Sequence, residues 1–305
     1  METFRVHVLG CGSARPSLRH NASAQVVEMR GKMLMVDCAE GTQMQLMRAK
    51  INFNKIKAVF ISNLHGDHCF GLLGLISSFG LLGRTAPLLV AAPKQLEPIF
   101  HQAMPLFCAN LGYDVEFMPL DTKKAAVVYD DRTLSVTTIP LMHRVPCCGF
   151  LIQEKPTLPH IRRDMIDCYG IPTSQINNIK MGADWVADDG TVVPNGQLVT
   201  PADPPRSFAY CSDTKYIPTL HQRFPNVSLL YHESTYDQSY EALAEKYFHS
   251  TAAQAAMVAR DAGASQLMIG HYSSRFNDEQ VLLDEAKAIF PNTILAQEGL
   301  VVDVR

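Results

Sequence analysis

Apolar positions recur in short blocks separated by turn-forming residues. Phe4–Leu9, Ala24–Met29, Lys32–Val36 and Ile56–Ser62 predict strands. Pro87–Ala92 predicts another, followed by a helix over Pro93–Phe107. Tyr113–Pro119, Ala126–Tyr129 and Leu134–Pro140 alternate apolar and polar residues and predict antiparallel strands, with Gly149–Gln153 one more. From Glu154 to Arg206 the pattern breaks. Pro156, Pro159, Pro172, Pro194, Pro201, Pro204 and Pro205 mark this segment as an excursion from the core rather than a buried element. Regular patterning returns with strands at Ser207–Ser212, Val227–Tyr231 and Gln266–Gly270. Helices are predicted over Thr251–Ala262, opened by Ser250 or Thr251 as cap, and over Asp278–Phe290. Thr293–Val304 should complete the sheet. Strands and helices alternate in both halves, so the class is α/β or α+β, with helices covering sheets.

Size and composition narrow the picture. A chain of 305 residues with 47% hydrophobic residues is globular, and long enough for one large domain or two similar halves. Its longest apolar stretch, residues 71–83, falls short of the roughly 20 residues a membrane-spanning helix needs. The opening METFRVHVLG has no basic region followed by an apolar signal core, so a secretory signal is not expected from it. The 8 cysteines form no C-x-x-C pair and sit mostly within apolar runs, which reads as reduced thiols in a cytoplasmic protein. Net charge is −3, so no overall basic footprint for nucleic acid exists.

Chemistry concentrates where strands end. Ile61 leads to His65, Asp67 and His68; Ile139 leads to His143; Cys211 leads to Asp213; Ile269 leads to His271. One histidine after a strand means little and is usually structural, but four such positions are harder to dismiss. His65-Gly66-Asp67-His68 packs two imidazoles and a carboxylate into four residues. Those donors suit Zn²⁺, with Mn²⁺ or Fe as alternatives. Gly66 is expected to let the backbone fold tightly around them.

The motifs resemble those of the tRNase Z (ribonuclease Z) family of the metallo-β-lactamase superfamily. They run in family order from Asp37-Cys38-Ala39-Glu40-Gly41-Thr42-Gln43 and Leu64-His65-Gly66-Asp67-His68 through Leu141-Met142-His143-Arg144 and Tyr210-Cys211-Ser212-Asp213. His232-Glu233-Ser234-Thr235, His249-Ser250-Thr251 and His271-Tyr272-Ser273-Ser274-Arg275 complete the set over nearly the whole chain. The resemblance implies a four-layer αβ/βα metallo-β-lactamase-type sandwich over residues 1–305, with residues 154–206 as an inserted arm. It implies a zinc-dependent phosphodiesterase, usually a homodimer, that cuts the 3′ trailer from precursor tRNA. By the same resemblance His65, His143 and Asp213 bind one zinc, while Asp67, His68 and His271 bind the other. Asp213 bridges the two. Asp67 can take the proton from the attacking water. His249 is the general acid for the leaving oxygen, oriented by Glu233. Asp37 is expected to orient a ligand histidine, and Ser274 and Arg275 to contact substrate.

Three departures qualify the resemblance. The first histidine of the H-x-H-x-D-H signature is Asn63, whose amide oxygen binds zinc less well than an imidazole. The metal site of Asn63, His65 and His143 should therefore be the weaker. The arm carries 5 basic and 7 acidic residues over 151–206, a poor phosphate footprint apart from Arg162 and Arg163. The family's P-x-K-x-R-N loop reads Pro16-Ser17-Leu18-Arg19-His20-Asn21. These leave open a diverged hydrolase of another phosphodiester or ester, or a weakly active RNA-binding paralogue. Basic charge is richest in residues 1–150, with 15 basic and 11 acidic residues, and in the acid-free stretch of Arg48, Lys50, Lys55 and Lys57.

Overall fold

A computed structural model describes residues 2–305 of the chain. The larger unit, Glu2–Gln153 with Arg206–Arg305, is built on two seven-stranded sheets. In chain order the first sheet holds Phe4–Gly10, Ala24–Met29, Lys32–Val36, Ile56–Phe60, Leu88–Pro93 and Val115–Leu120, and Val301–Asp303 joins its edge beside Phe4–Gly10. The second holds Val127–Asp130, Leu134–Pro140, Cys148–Glu154, Ser207–Cys211, Leu229–Glu233, Gln266–Gly270 and Thr293–Leu295.

The sheets face each other across one apolar core. Val6, Val8 and Phe60 of the first meet Phe150, Phe208 and Tyr210 of the second, all essentially inaccessible to solvent. Phe60 and Phe150 lie 5.4 Å apart between ring centroids. A second core fills the outer face of the first sheet, where Leu46, Leu72, Leu75, Ile76, Phe79 and Phe100 come from its covering helices. Helices Ala252–Asp261 and Gln280–Ile289 cover the other sheet through Ala252, Ala255, Ala259, Leu282 and Ala286. Helix, sheet, sheet and helix make the four layers. Helix Ala252–Asp261 starts at a capping box. The Thr251 side chain accepts from the Gln254 backbone, and the Gln254 side chain accepts from Thr251 N–H.

Two pairings differ from the alternation reading. Val115–Leu120 runs parallel to Leu88–Pro93 in the first sheet, not antiparallel to Leu134–Pro140. Its partner is set by the crossover helix Glu97–Phe107, which returns the chain in the same direction. The last segment is not one strand. Thr293–Leu295 ends the second sheet, and the chain then turns at Gly299, whose φ is 85°, before Val301–Asp303 joins the first.

The segment Glu154–Pro205 forms a unit of its own. Ile171, Ile179, Val193 and Leu198 make a small buried core under helices Arg163–Tyr169 and Thr173–Lys180, so the proline-rich segment is more than surface loop. No helix among the described residues is long and apolar enough to cross a membrane.

Candidate functional site

The metal-capable side chains sit beyond strand ends, and two residues of the site, Asp37 and His271, are on backbone held in costly conformations. Asp37 follows Lys32–Val36 with φ 59°, and His271 follows Gln266–Gly270 with φ 62°. Such left-handed positions cost a non-glycine residue about 1–3 kcal/mol and persist where the surroundings over-determine them. Gly270 helps to fix His271, because a Cβ there would lie 2.4 Å from the Tyr231 hydroxyl. Gly66 acts through space rather than torsional freedom. It opens the short helix Gly66–Cys69, and an added Cβ would lie 2.6 Å from the Phe70 ring.

Two donor sets result: His65, His143 and Asp213, and Asp67, His68 and His271. Within each, the ligand atoms lie within 4.8 Å of one another. Asp213 joins them, with Oδ2 3.3 Å from His68 Nε2 and 3.5 Å from His143 Nε2, and Oδ1 3.0 Å from His271 Nε2. His65 Nδ1 lies 3.3 Å from His143 Nε2 and 3.8 Å from Asp213 Oδ2. His68 Nε2, His271 Nε2 and Asp213 Oδ1 are buried without a hydrogen-bond partner. Unpaired buried polar atoms are costly, so three converging on one point fit the donors of a divalent cation. The residues present therefore suit a divalent metal centre.

The far side of three of the imidazoles is held. His68 Nδ1 lies 2.7 Å from Asp37 Oδ2, which also accepts from the Tyr210 hydroxyl at 2.7 Å and the Ser62 hydroxyl at 2.9 Å. His143 Nδ1 faces the Phe248 carbonyl at 2.9 Å, and His271 Nδ1 the Thr235 hydroxyl at 2.9 Å. Each contact leaves Nε2 turned inward. Asp67 Oδ2 accepts from Ala14 N–H at 2.6 Å. Burial alone would raise the Asp67 pKa, but the neighbouring His271 and the charge of His68 outweigh it and lower the carboxyl below its usual range. Asn63 is fully buried beside the first set. Its Oδ1 accepts from His65 N–H at 2.9 Å, and its Nδ2 lies 3.4 Å from Asp213 Oδ2.

Beside the two sets, His249 Nδ1 lies 2.8 Å from Glu233 Oε1. Glu233 is buried and also accepts from Thr214 N–H, Thr235 N–H and the Thr235 hydroxyl. Burial works against charge on His249, but Glu233 prevails and pushes the imidazole up to about 9. Phe248, in a left-handed conformation with φ 61°, aims its carbonyl at His143 and the following His249 at Glu233. His249, His65, Asp67, Asp213 and His271 line a cleft of about 680 Å³. An adjoining recess of about 350 Å³ shares His249 and adds Arg15, Arg275, Ser274 and Tyr236, with Arg144 on both.

Of the residues expected from sequence, the eight around Asp213 and His249 converge, Asn63 lies among them, and Ser274 and Arg275 line the recess. Arg162 and Arg163 belong to the 154–205 unit, where Arg162 is bound to Asp164 at 2.6 Å and to the Gln197 carbonyl at 3.3 Å. Sequence reading assigned no role to Arg144, Arg15 or Thr235. Adjacency to His143 could have flagged Arg144, and spacing from Glu233 could have flagged Thr235. The Phe248 carbonyl leaves no side-chain signal.

The family model described as "Anti-Pycsar protein Apyc1" matches residues 4–158, a span that ends before Asp213, Glu233, His249 and His271. Proteins named ribonuclease Z match from end to end. That of Bacteroides fragilis is 52% identical and that of Porphyromonas gingivalis 44% identical, each over 100% of both chains. Among solved structures, the short form of human tRNase Z superposes with a TM-score of 0.70 at 24% identity, covering 99% of each chain. The metallo-β-lactamase fold protein YhfI of Bacillus subtilis does so at 0.70 and 17%, again over 99% of each. On the full-length identity and the two-sheet fold that carries its motifs, this chain belongs to the ribonuclease Z family.

Proposed function

We propose that this chain is a metal-dependent endoribonuclease that removes the 3′ trailer from precursor tRNA. The observation that carries this reading is His249. It is charged by a buried glutamate and opens into the cleft on which the two donor sets converge. The names of the full-length relatives supply the substrate class.

His65, His143 and Asp213 would hold one ion, and Asp67, His68 and His271 the other, with Asp213 shared; imidazole and carboxylate donors favour zinc. Such ions supply Lewis acidity, neutralise charge on the phosphate and acidify water. The chain's own residues do the rest. Glu233 keeps His249 protonated and turns its free edge to the leaving 3′-oxygen, which takes the proton. Asp67, placed in the cleft and held by Ala14 N–H, orients the attacking water and takes its proton. Arg144, Arg275 and Arg15 place cationic groups around the recess beside His249, where backbone phosphates flanking the cut can dock. Local cationic groups thus replace the basic face that a net charge of −3 denies. We place the protein in the cytoplasm, where its free cysteines persist, and infer that it works as a homodimer.

The test is cleavage of a precursor tRNA by the zinc-loaded protein, by His249→Ala and by the chelated protein, with a small phosphodiester in parallel. Trailer release that requires metal and falls at least about a hundredfold in His249→Ala fits the proposal. Hydrolysis of the small diester with no cut in precursor tRNA would assign the site to another substrate.

A further inference from the structure

Residues 12–21 form a loop closed at its root by Cys11 N–H and Gly12 N–H, which both donate to the Asn21 carbonyl at 3.0 and 2.9 Å. At that root three donor groups meet from separate stretches of chain. Cys11 Sγ lies 3.4 Å from His20 Nδ1 and 3.6 Å from Glu298 Oε1, and His20 Nδ1 lies 3.1 Å from Glu298 Oε2. Zinc bonds of about 2.3 Å to sulfur and 2.0–2.2 Å to nitrogen or oxygen put tetrahedral neighbours roughly 3.3–3.6 Å apart. The observed edges need adjust by only a few tenths of an ångström.

The surroundings suit a cation. His20 Nε2 faces Glu279 Oε1 at 3.3 Å, the contact by which a carboxylate fixes the tautomer of a ligating imidazole. Glu279 is in turn paired with Arg19 through two contacts of 2.8 Å. A Cys11 thiolate and the Glu298 carboxylate would balance one divalent ion. The Ala296 carbonyl lies 3.4 Å from Cys11 Sγ and accepts from the Tyr272 hydroxyl at 3.1 Å, so a solvent molecule would take a fourth position. Cys11 is fully buried, and the side chains of His20 and Glu298 are 15% and 22% exposed.

We propose that Cys11, His20 and Glu298 form a separate zinc site that clamps the root of the 12–21 loop to the strand-free stretch before Val301. It uses none of the ligands assigned to the cleft and does not depend on the ribonuclease reading. Its consequence reaches the cleft, because Ser13, Ala14, Pro16 and Ser17 line it and Ala14 N–H holds Asp67. The metal is structural: it fixes the loop that fixes Asp67.

Zinc counted by elemental analysis on the purified full-length protein tests this. Wild type should carry one more equivalent than Cys11→Ser or His20→Ala. Protein loaded with Co²⁺ should show a near-ultraviolet thiolate-to-cobalt band that survives in Asp213→Ala and disappears in Cys11→Ser. Because Cys11 is buried and its variant can misfold, Glu298→Gln gives a second route. It should weaken that equivalent by about tenfold or more in protein whose circular dichroism is native. Equal zinc in wild type and the folded variants, or no thiolate band in cobalt-loaded wild type, overturns the site and leaves His20 an imidazole paired with two glutamates.

Discussion

Asn63 stands where the family signature has an imidazole, and its amide is already spent on His65 N–H and Asp213. The set of His65, His143 and Asp213 therefore has three donors, whereas Asp67, His68 and His271 share Asp213 as a fourth, and both of their imidazoles are held from behind. Metal should load that second set first. Asn63→His is expected to tighten zinc at the first set by about tenfold or more, the scale on which even outer partners of a ligand act. Calorimetric titration checks this, and unchanged stoichiometry and affinity would show that Asn63 does not limit loading. At the same scale, Glu233 sets the charge of His249 and also braces Thr235 behind His271. Glu233→Gln keeps the shape but removes the charge that raises the imidazole to about 9. A protonated acid is then lost at lower pH, so kcat should fall by about a hundredfold near neutrality. The alkaline limb of the pH–rate profile should also move down. A lower kcat with an unmoved limb would reduce Glu233 to a purely structural part.

The hairpin of Val127–Asp130 and Leu134–Pro140 closes on Asp131. Its Oδ1 accepts from Thr133 N–H and hydroxyl at 2.7 Å, and its Oδ2 meets Lys32 Nζ at 2.5 Å from the neighbouring sheet. Burial opposes ionisation, but Lys32 and the turn prevail, so Asp131 is depressed below its usual value. A depressed carboxylate stabilises the fold above its unfolded pKa of about 3.9, and that contribution fades as pH falls through the folded value. Asp131→Asn should cost about 1–2 kcal/mol at pH 7 in urea unfolding, with the gap to wild type narrowing in acid. A constant gap would put the effect in turn geometry alone. The hairpin itself was legible from alternation. The parallel strand Val115–Leu120 was not, because alternation states that a strand exists but not which neighbour it joins. Arg84 was equally opaque. It is 1% exposed and donates at 2.7 Å to the carbonyls of Phe53, Ile56 and Pro87, a role that nothing in local sequence announces.

Across the whole molecule, the cleft gathers side chains from positions as far apart as 63 and 271. His65, His143, Asp213 and His271 were legible because they follow apolar strands, whereas His249 follows helix Glu241–Tyr247 and was legible only through the family motif. The contacts that aim them were not, since Tyr210, Thr235 and the Phe248 carbonyl reach the site only through tertiary packing. Beyond the cleft, Met44, Met47, Leu81 and Leu82 are 50%, 61%, 87% and 50% exposed around an apolar groove of about 290 Å³ floored by Leu46 and Phe79. Helices Thr42–Arg48 and Leu72–Leu81 thus turn apolar side chains to water, whereas the polar faces of soluble helices normally do the opposite. A second copy of the chain is the occupant that accords with the proposed homodimer. Light scattering on the wild type should then give twice the chain mass. Met47→Asp and Leu81→Asp should shift it toward the monomer, because burying an unpaired carboxylate in an apolar interface costs several kcal/mol. The folded state of each monomer should survive, since neither side chain belongs to the buried core. A dimer that persists in both variants would move the interface to another face, and a monomeric wild type would leave the apolar groove to a different partner.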